Sequence, residues 1–253
     1  RRVIGIDNLN DYYDPRLKEY RLDLLREDAD FHFELGDIED PATVNDCFRR
    51  WQPDAVINLA ARAGVRCSLR SPSVYLTTNA LGTLNILESM RQFGVRKLVH
   101  ASTSSLYSGQ KMPFSEELPV NRPISPYAAT KKAAEMLCYT WHHLYGLDIS
   151  IVRYFTVFGP AGRPDMSIYR FIKWIMEGSP VNVTGDVSQT RDFTYVDDIA
   201  AGTVAGVRPL GFEVINLGGG RNPQSINYII QSIEALTGAV GTITNHAMPR
   251  EDM

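Results

Sequence analysis

Short apolar runs alternate with amphipathic stretches along the chain, and the two patterns predict strands and helices in turn. The runs that predict strands lie at residues 3–6, 31–35, 55–61, 97–101, 149–153 and 212–217. The stretches that predict helices lie at residues 16–27, 41–51, 75–93, from 126 onward, 168–178 and 222–238. Because strand and helix follow each other repeatedly, we predict an α/β fold with a parallel, doubly wound sheet.

Composition narrows the class of protein. The chain has 253 residues, of which 44% are hydrophobic, enough for one large domain or two closely joined ones. A net charge of −3 without a basic cluster gives no reason to expect a nucleic-acid partner. No apolar run approaches the ~20 residues that span a bilayer, so no membrane partner is expected. Three scattered cysteines without a CxxC pair favour a reducing, cytoplasmic setting, and no metal site is predicted.

Tyr127 and Lys131 lie four residues apart, at the start of the helix predicted from Pro126. This spacing places both side chains on one helical face, one turn apart. Pro126 suits a first helical turn, and Ser125 can cap it. An ammonium group one turn away favours the phenolate form of tyrosine, which makes Tyr127 a candidate base. The alternative is an amphipathic helix that carries both residues without using them chemically.

Polar or small side chains follow several of the predicted strands. Open parallel sheets bind ligands at the carboxyl ends of their strands, and Asp7, Asp37 and the hydroxyl-rich segment 102–107 all lie there. The terminal acid of the second strand in a dinucleotide-binding fold binds the adenosine ribose, and Asp7 has that position. The alternatives are a turn acid for Asp7 and a Ser/Thr-rich turn for 102–107. The small residues at 60–61 would let a cofactor approach the backbone closely. The alternative is that they serve only tight packing of the protein itself.

These features together resemble the extended short-chain dehydrogenase/reductase superfamily, in its NAD-dependent epimerase/dehydratase branch. The motifs that carry the resemblance follow one another in family order: Gly5-Ile6-Asp7-Asn8-Leu9, Gly36-Asp37-Ile38, Asn58-Leu59-Ala60-Ala61, Asn79 with Gly82-Thr83, residues 102–107, the Tyr127/Lys131 pair, Arg153-Tyr154-Phe155-Thr156 and residues 191–198. Within that branch, residues 7–14, 63–66 and 159–166 most resemble the UDP-glucuronate 4-epimerases.

The resemblance implies NAD as the cofactor. It places Asp7 and Asn8 at the adenosine ribose, Asp37 and Ile38 at the adenine, and Lys131 at the nicotinamide ribose. The remaining cofactor contacts that it implies are Leu59, Ala60, Ala61, Asn79, Ser102, Tyr127, Tyr154 and Val157.

The same resemblance implies a UDP-sugar substrate. Its catalytic residues would be Tyr127 as base, Thr103 sharing a hydrogen bond to the 4-hydroxyl of the sugar, and Lys131. Arg191 is expected at the diphosphate, with a surface salt bridge to Asp192 or Asp197 as its alternative. The other substrate contacts are expected from Arg66, Ser104, Ser105, Thr156, Arg163, Val183 near the uracil, and Asp252 near the nucleotide ribose.

The expected reaction is C4 epimerisation of UDP-glucuronate to UDP-galacturonate through a 4-keto intermediate. Sugar 4,6-dehydratases carry Asp-Glu where this chain has Ser104 and Ser105, which cannot remove water at neutral pH. UDP-glucose 4-epimerisation and UDP-glucuronate decarboxylation remain alternatives, since a 4-keto-glucuronate is a β-keto acid. Arg163 is expected to hold the carboxylate so that decarboxylation is avoided, with Arg66 as the second candidate.

We expect residues 1–155 to form a Rossmann-like NAD-binding domain and residues 156–253 a UDP-sugar lobe, with about 190–220 returning to the first domain. Family members begin one strand, one Gly-rich loop and one helix earlier and continue beyond residue 253. The sequence is therefore expected to be a fragment, and a non-catalytic NAD-fold remnant is the alternative class. The resemblance also implies a homodimer, for which the two long helices from about Tyr75 and Pro126 have enough apolar surface; the alternative is that these helices only pack against the sheet.

Overall fold

Residues 2–220 and 222–247 are described by a computed structural model of the chain. They divide into two compact units. The first comprises the described residues of Arg1–Tyr154 together with Ala201–Leu217, and the second those of Phe155–Ala200 and Gly218–Met253. The chain returns to the first unit over a shorter stretch than the predicted 190–220.

The strands of the described residues are, in chain order, β1 (Val3–Asp7), β2 (Phe31–Leu35), β3 (Ala55–Asn58), β4 (Lys97–Thr103), β5 (Asp148–Tyr154), β6 (Thr156–Phe158), β7 (Val181–Thr184), β8 (Thr190–Arg191), β9 (Phe193–Tyr195), β10 (Phe212–Leu217), β11 (Gln224–Ser225) and β12 (Ile243–His246). The α-helices are α1 (Pro15–Arg26), α2 (Pro41–Trp51), α3 (Val65–Arg70), α4 (Pro72–Tyr75), α5 (Gly82–Phe93), α6 (Pro126–Tyr145), α7 (Ser167–Met176), α8 (Val196–Ala205) and α9 (Ile226–Thr237). A π-helical stretch, Leu76–Leu81, joins α4 to α5, and a 3-10 turn, Ser104–Tyr107, follows β4.

Local sequence signals set the ends of the longer helices. Proline begins α1, α2 and α6, where its missing N–H costs nothing. The caps just before these helices are Asp14, Asp40 and Ser125, whose side chains accept backbone N–H bonds. At the other end, α5, α6 and α9 stop at a left-handed glycine: Gly94, Gly146 and Gly238.

The sheets of the first unit are parallel throughout. One has the strand order β10-β5-β4-β3, and β1 pairs with β2 in a second. The prediction of an α/β fold with a parallel sheet is confirmed. Within the described residues β1 pairs only with β2 and β3 only with β4, so each keeps one edge without a backbone partner.

Both faces of the four-stranded sheet are covered by apolar side chains. Leu98 of β4 belongs to a core built with α2, α5 and α6, whereas its neighbour Val99 belongs to a cluster on the opposite face with Val207 and Leu217. Every residue of β4 is buried. This two-sided burial is the physical basis of the doubly wound pattern.

The second unit has a separate core. Apolar residues of α7 and α9 pack there against Val181 and Val183 of β7. Ile226, Ile230 and Ile233 are the buried residues of α9, and Ile229 is partly buried against them, as the spacing of these four residues predicts. The strand pairs of this unit are β6–β9 and β7–β12, both parallel, and the short antiparallel pair β8–β11.

Three of the predicted elements differ from the observed ones by more than two residues at one end or in helix type. The strand predicted over 55–61 ends at Asn58, because the Asn58 side chain accepts a hydrogen bond from Ala60 N at 3.2 Å and turns the chain. The helix predicted over 75–93 contains the π-helical stretch. The last helix begins at Ile226, because residues 224–225 pair with β8 and Ser225 caps the helix.

The described residues include neither a membrane-spanning helix nor a cluster of metal-ligating side chains. No helix within residues 2–220 and 222–247 is long and apolar enough to cross a membrane. The same residues contain no group of three or more His, Cys, Asp or Glu side chains arranged to hold a metal ion.

Candidate active site

Tyr127 lies in the first turn of α6, directly after Pro126. Ser125 Oγ accepts a hydrogen bond from Ala128 N at 3.1 Å and fixes this turn. The Tyr127 ring meets the buried ring of Tyr75 edge-on, with centroids 6.2 Å apart and planes at 78°. Tyr75 is held in turn by a 2.8 Å hydrogen bond from its hydroxyl to Ala63 O. The phenol ring of Tyr127 is therefore oriented by packing.

Lys131 follows one turn later and is buried. Burial lowers its pKa from 10.5 to about 8, although Cys138 and Glu135 act in the opposite direction. Among the described residues, no hydrogen bond or ion pair reaches its ammonium group. A buried cation without a partner is costly, which is typical of a group that meets a ligand.

The hydroxyl-rich segment lies at the carboxyl end of β4. Thr103 is buried, and its Oγ1 accepts a hydrogen bond from Ser105 N at 3.1 Å while its own proton stays available to donate. Ser104 and Ser105 are half-buried in the 3-10 turn. Ser102 points elsewhere, since its hydroxyl donates to Glu135 Oε1 at 2.7 Å.

The carboxyl ends of β1 and β2 are tied together by side chains. Asn8 Nδ2 donates to Asp37 Oδ2 at 2.7 Å, and Asp37 Oδ1 accepts from Glu39 N at 2.9 Å. Asp7 is exposed and accepts from Leu9 N through Oδ1 alone, at 2.7 Å. Ile38 is instead buried in the core against Gly82. A carboxylate at the strand end is thus available to a ligand.

The segment after β3 is fixed by hydrogen bonds from Asn79. Its side chain, in the π-helical stretch, is fully buried; Oδ1 accepts from Arg62 N at 2.8 Å, and Nδ2 donates to Arg62 O at 3.0 Å and Thr130 Oγ1 at 3.1 Å. Asn79 therefore links this loop to α6. The residues predicted beside a cofactor on the loop are Leu59, which is exposed, and the half-buried Ala60 and Ala61.

Two further predicted residues belong to the first unit, and one of them, Tyr154, is the partner of Thr103 in the register of β4 and β5. Tyr154, at the end of β5, shares a 2.7 Å hydrogen bond with Thr203, and burial raises its pKa. Arg66 is exposed in the first turn of α3.

The substrate residues predicted after position 155 belong to the second unit, as does Val157, which was predicted to contact the cofactor. Thr156 and Val157 lie on β6, half-buried, and Val183 is buried in β7. Arg191 is exposed and donates to Thr190 O at 2.8 Å and Gln189 Oε1 at 3.4 Å; within the described residues it forms no ion pair with Asp192 or Asp197. Asp252 lies outside the described residues.

Arg163 is paired with a carboxylate of its own chain. Its Nε and Nη2 donate to Asp165 Oδ1 and Oδ2 at 3.0 and 2.7 Å, the two-point geometry in which a guanidinium binds a carboxylate. Both side chains are partly exposed. The guanidinium also contacts Met166 Sδ at 3.8 Å.

Comparison with known protein families identifies the family of this chain. The model of the NAD dependent epimerase/dehydratase family matches residues 1–218. The chain belongs to this family. The predicted resemblance, and with it an NAD-dependent class of enzyme, is confirmed.

Three known epimerases are similar to this chain in sequence or in structure. A UDP-glucuronate 4-epimerase of Thermodesulfobacterium geofontis is 60% identical over 238 residues, which cover 94% of this chain and 74% of that protein. The crystal structure of a Bacillus cereus UDP-glucuronic acid 4-epimerase with UDP-glucuronic acid and NAD is similar with a TM-score of 0.90 and 36% identity, covering 98% of this chain and 78% of that one. A Thermotoga maritima UDP-glucose 4-epimerase with UDP-glucose gives 0.87 and 29%, covering 99% and 79%.

The side chains of the first unit fit NAD. Asp7 keeps its Oδ2 without a hydrogen bond from the described residues, which suits a ribose diol, and the Lys131 ammonium is buried without a partner. Both features follow from the structure alone.

Sequence reasoning missed several residues that shape this site. Tyr75 was assigned only to a helix, and Glu135 was not singled out. Their roles depend on contacts across elements, and only the spacing of Glu135, four residues after Lys131, gave a signal.

Proposed function

We propose that this protein epimerises UDP-glucuronate and UDP-galacturonate at C4 of the sugar. The observation that carries the proposal is the pair formed by an oriented Tyr127 and a buried, unpaired Lys131 one turn later on α6. The high identity to a UDP-glucuronate 4-epimerase supports the choice of sugar.

NAD would be held by Asp7 at the adenosine ribose, by Asp37 near the adenine and by Lys131 at the nicotinamide ribose. When bound, it supplies reversible oxidation at C4. The ionised form of Asp7 and the charged form of Lys131 are the ones that bind ribose hydroxyls most strongly.

Tyr127 acts as the base for the 4-hydroxyl of the sugar. Its phenolate takes the O4 proton as C4 is oxidised, and it returns that proton when C4 is reduced from the other face. The positive charge of Lys131 favours the phenolate. Thr103 donates its free hydroxyl proton to the same oxygen and so holds the 4-hydroxyl beside the base.

Inversion requires the keto sugar to present its second face while the nucleotide stays bound. Arg191 would bind the diphosphate, since within residues 2–220 and 222–247 its guanidinium makes two polar contacts, both within its own segment. Val183 is assigned to the uracil side. With the UDP fixed, the sugar turns about its bond to the phosphate.

Arg163 is assigned to the sugar carboxylate. Its two-point contact with Asp165 supports this role, because the guanidinium already adopts the geometry in which arginine binds a carboxylate. When Arg163 holds the sugar carboxylate, the C5–C6 bond is kept away from the alignment that releases carbon dioxide. Arg66 remains the second candidate.

Elimination of water is not part of the proposed reaction. It needs an acid and a base beside C5 and C6, and the residues after Thr103 are Ser104 and Ser105, which carry no carboxyl group.

The test supplies UDP-glucuronate and NAD to the full natural polypeptide and follows the products by NMR. UDP-galacturonate is the expected product. UDP-xylose or a 4-keto pentose would identify a decarboxylase, and conversion of UDP-glucose alone would identify a different epimerase; either result would replace the proposal.

We also infer a homodimer formed through the long helices. Several apolar side chains of α6 and of the π-helical stretch are exposed: Met136 (53%), Tyr139 (50%), Leu144 (60%), Leu76 (56%) and Leu81 (44%). Light scattering tests it, since Leu144→Glu should lower the measured mass if the helices form the interface. A cytoplasmic location is proposed on the three free cysteines Cys47, Cys67 and Cys138.

A further inference from the structure

A buried ion pair lies behind the hydroxyl-rich segment. Arg153 Nε and Nη2 each donate to one oxygen of Glu135 at 2.9 Å, and both side chains are only 3% exposed. Burial raises the pKa of Glu135, but the bonds from Arg153 and Ser102 outweigh it and leave the pKa below its usual value. The carboxylate is therefore charged at neutral pH.

This ion pair is bonded to both ends of the segment that carries Thr103. At the start, Ser102 donates to Glu135 Oε1 at 2.7 Å. At the end, Arg153 Nη1 donates to the Tyr107 hydroxyl at 2.7 Å, and that hydroxyl donates to Asn216 Oδ1 at 2.9 Å. Thr103, Ser104 and Ser105 lie between the two attachment points.

The same carboxylate is part of α6. Glu135 follows Lys131 by one helical turn and Tyr127 by two, so the three residues share one face of a single rigid helix. A helix that carries the base and a turn that carries Thr103 are thus joined through one buried side chain.

Stability alone does not explain such a pair. A buried ion pair is often no more stabilising than apolar residues of the same size, because desolvation offsets the attraction. Its directional bonds do fix the distance between the elements that it joins. The geometry points to a positioning role: Glu135, through Ser102 and Arg153, sets the separation between Thr103 and Tyr127 at which the 4-hydroxyl is held. This inference rests on the catalytic roles proposed above for Thr103 and Tyr127.

The test uses Glu135→Gln and Tyr107→Phe, with Lys132→Met as the matched control. Tyr107→Phe removes one attachment point and leaves the ion pair intact. Lys132 donates to Glu135 Oε2 at 3.1 Å from the outer side and is bonded to neither end of the segment. Each variant is made in the full natural polypeptide, its active fraction is counted by UDP binding, and kcat and KM for UDP-glucuronate are measured.

We expect kcat per active site to fall on the order of 100-fold in the first two variants, as for a reacting group displaced by about 1 Å. The KM for UDP-glucuronate and the affinity for UDP should stay as in the parent, and Lys132→Met should match the parent throughout. A purely structural role would lower the active fraction and leave kcat per site unchanged, which would overturn the inference.

Crystal structures give a readout that does not depend on turnover. The distance from Thr103 Oγ1 to the Tyr127 hydroxyl should change by more than about 0.5 Å in Tyr107→Phe and not in Lys132→Met. An unchanged distance in Tyr107→Phe would overturn the inference. If the parent converts no UDP-glucuronate, the proposed function fails, while this distance still decides whether Glu135 positions the two elements.

Discussion

The buried charge of Lys131 should lower the free energy of unfolding of the protein. Its pKa falls from 10.5 to about 8 because the charged side chain is buried. At about 1.4 kcal/mol for each pH unit, holding this charge in the folded state costs about 3 kcal/mol at pH 7. Replacing Lys131 with Met keeps the length and the apolar stem and removes the charge. We therefore expect Lys131→Met to be more stable than the parent by up to about 3 kcal/mol at pH 7.

The stability difference between Lys131→Met and the parent should depend on pH. Below pH 8 the amine is charged in both folded and unfolded chains, so the full cost is present. Between pH 8 and 10.5 the folded chain has released the proton and the unfolded chain has not, so the parent gains stability as pH rises. The advantage of Lys131→Met should therefore shrink across that window.

The assay is urea denaturation of the NAD-free protein at pH 7 and pH 9.5, with Lys173→Met as the control. Lys173 lies 56% exposed on α7 beside Glu177, and its replacement should change the free energy of unfolding by less than about 0.5 kcal/mol. A Lys131→Met variant less stable than the parent at pH 7, or a gain that persists unchanged at pH 9.5, would refute the reasoning.

Three further substitutions test the site residue by residue. Tyr127→Phe should lower kcat at least about 100-fold with UDP affinity unchanged, measured by steady-state kinetics and calorimetry, since it removes only the base; an active variant would exclude Tyr127. Arg163→Ala should weaken UDP-glucuronate binding about 10- to 100-fold and leave UDP binding intact, because a charge-assisted contact is lost; equal losses for both ligands would contradict the assignment. Gly82→Ala places a methyl group 2.5 Å from Ile38 Cδ1, so it should shift the segment that carries Asp37 and weaken NAD binding, measured by titration. Unchanged NAD affinity would show that the segment adapts.

The sheet and the main helices could be predicted because their signals are local. The segments that form β4 and β5 are rich in apolar residues, and a Ser-Pro start with a Gly stop marks α6. The π-helical stretch could not be predicted, because its apolar spacing reads as ordinary helix. Nor could the pairing of β7 with β12, since it joins segments about sixty residues apart and both are short.

For the candidate site too, some residues could be predicted from the sequence and others could not. Tyr127, Lys131 and Asp7 could be selected from their spacing and strand-end positions. The supporting contacts could not: Asn79 joins Arg62 to Thr130, and Glu135 joins Ser102 to Arg153, in each case across different elements. Such bonds depend on tertiary distances that no local pattern of residues specifies.

The most direct test of the proposed chemistry follows a label at C4. UDP-glucuronate deuterated at C4 is incubated with the full natural polypeptide and NAD, and the product is examined by NMR. Transient oxidation with return of the same hydrogen predicts UDP-galacturonate that keeps the deuterium at C4. Loss of the label to solvent, or the absence of UDP-galacturonate, would contradict the account.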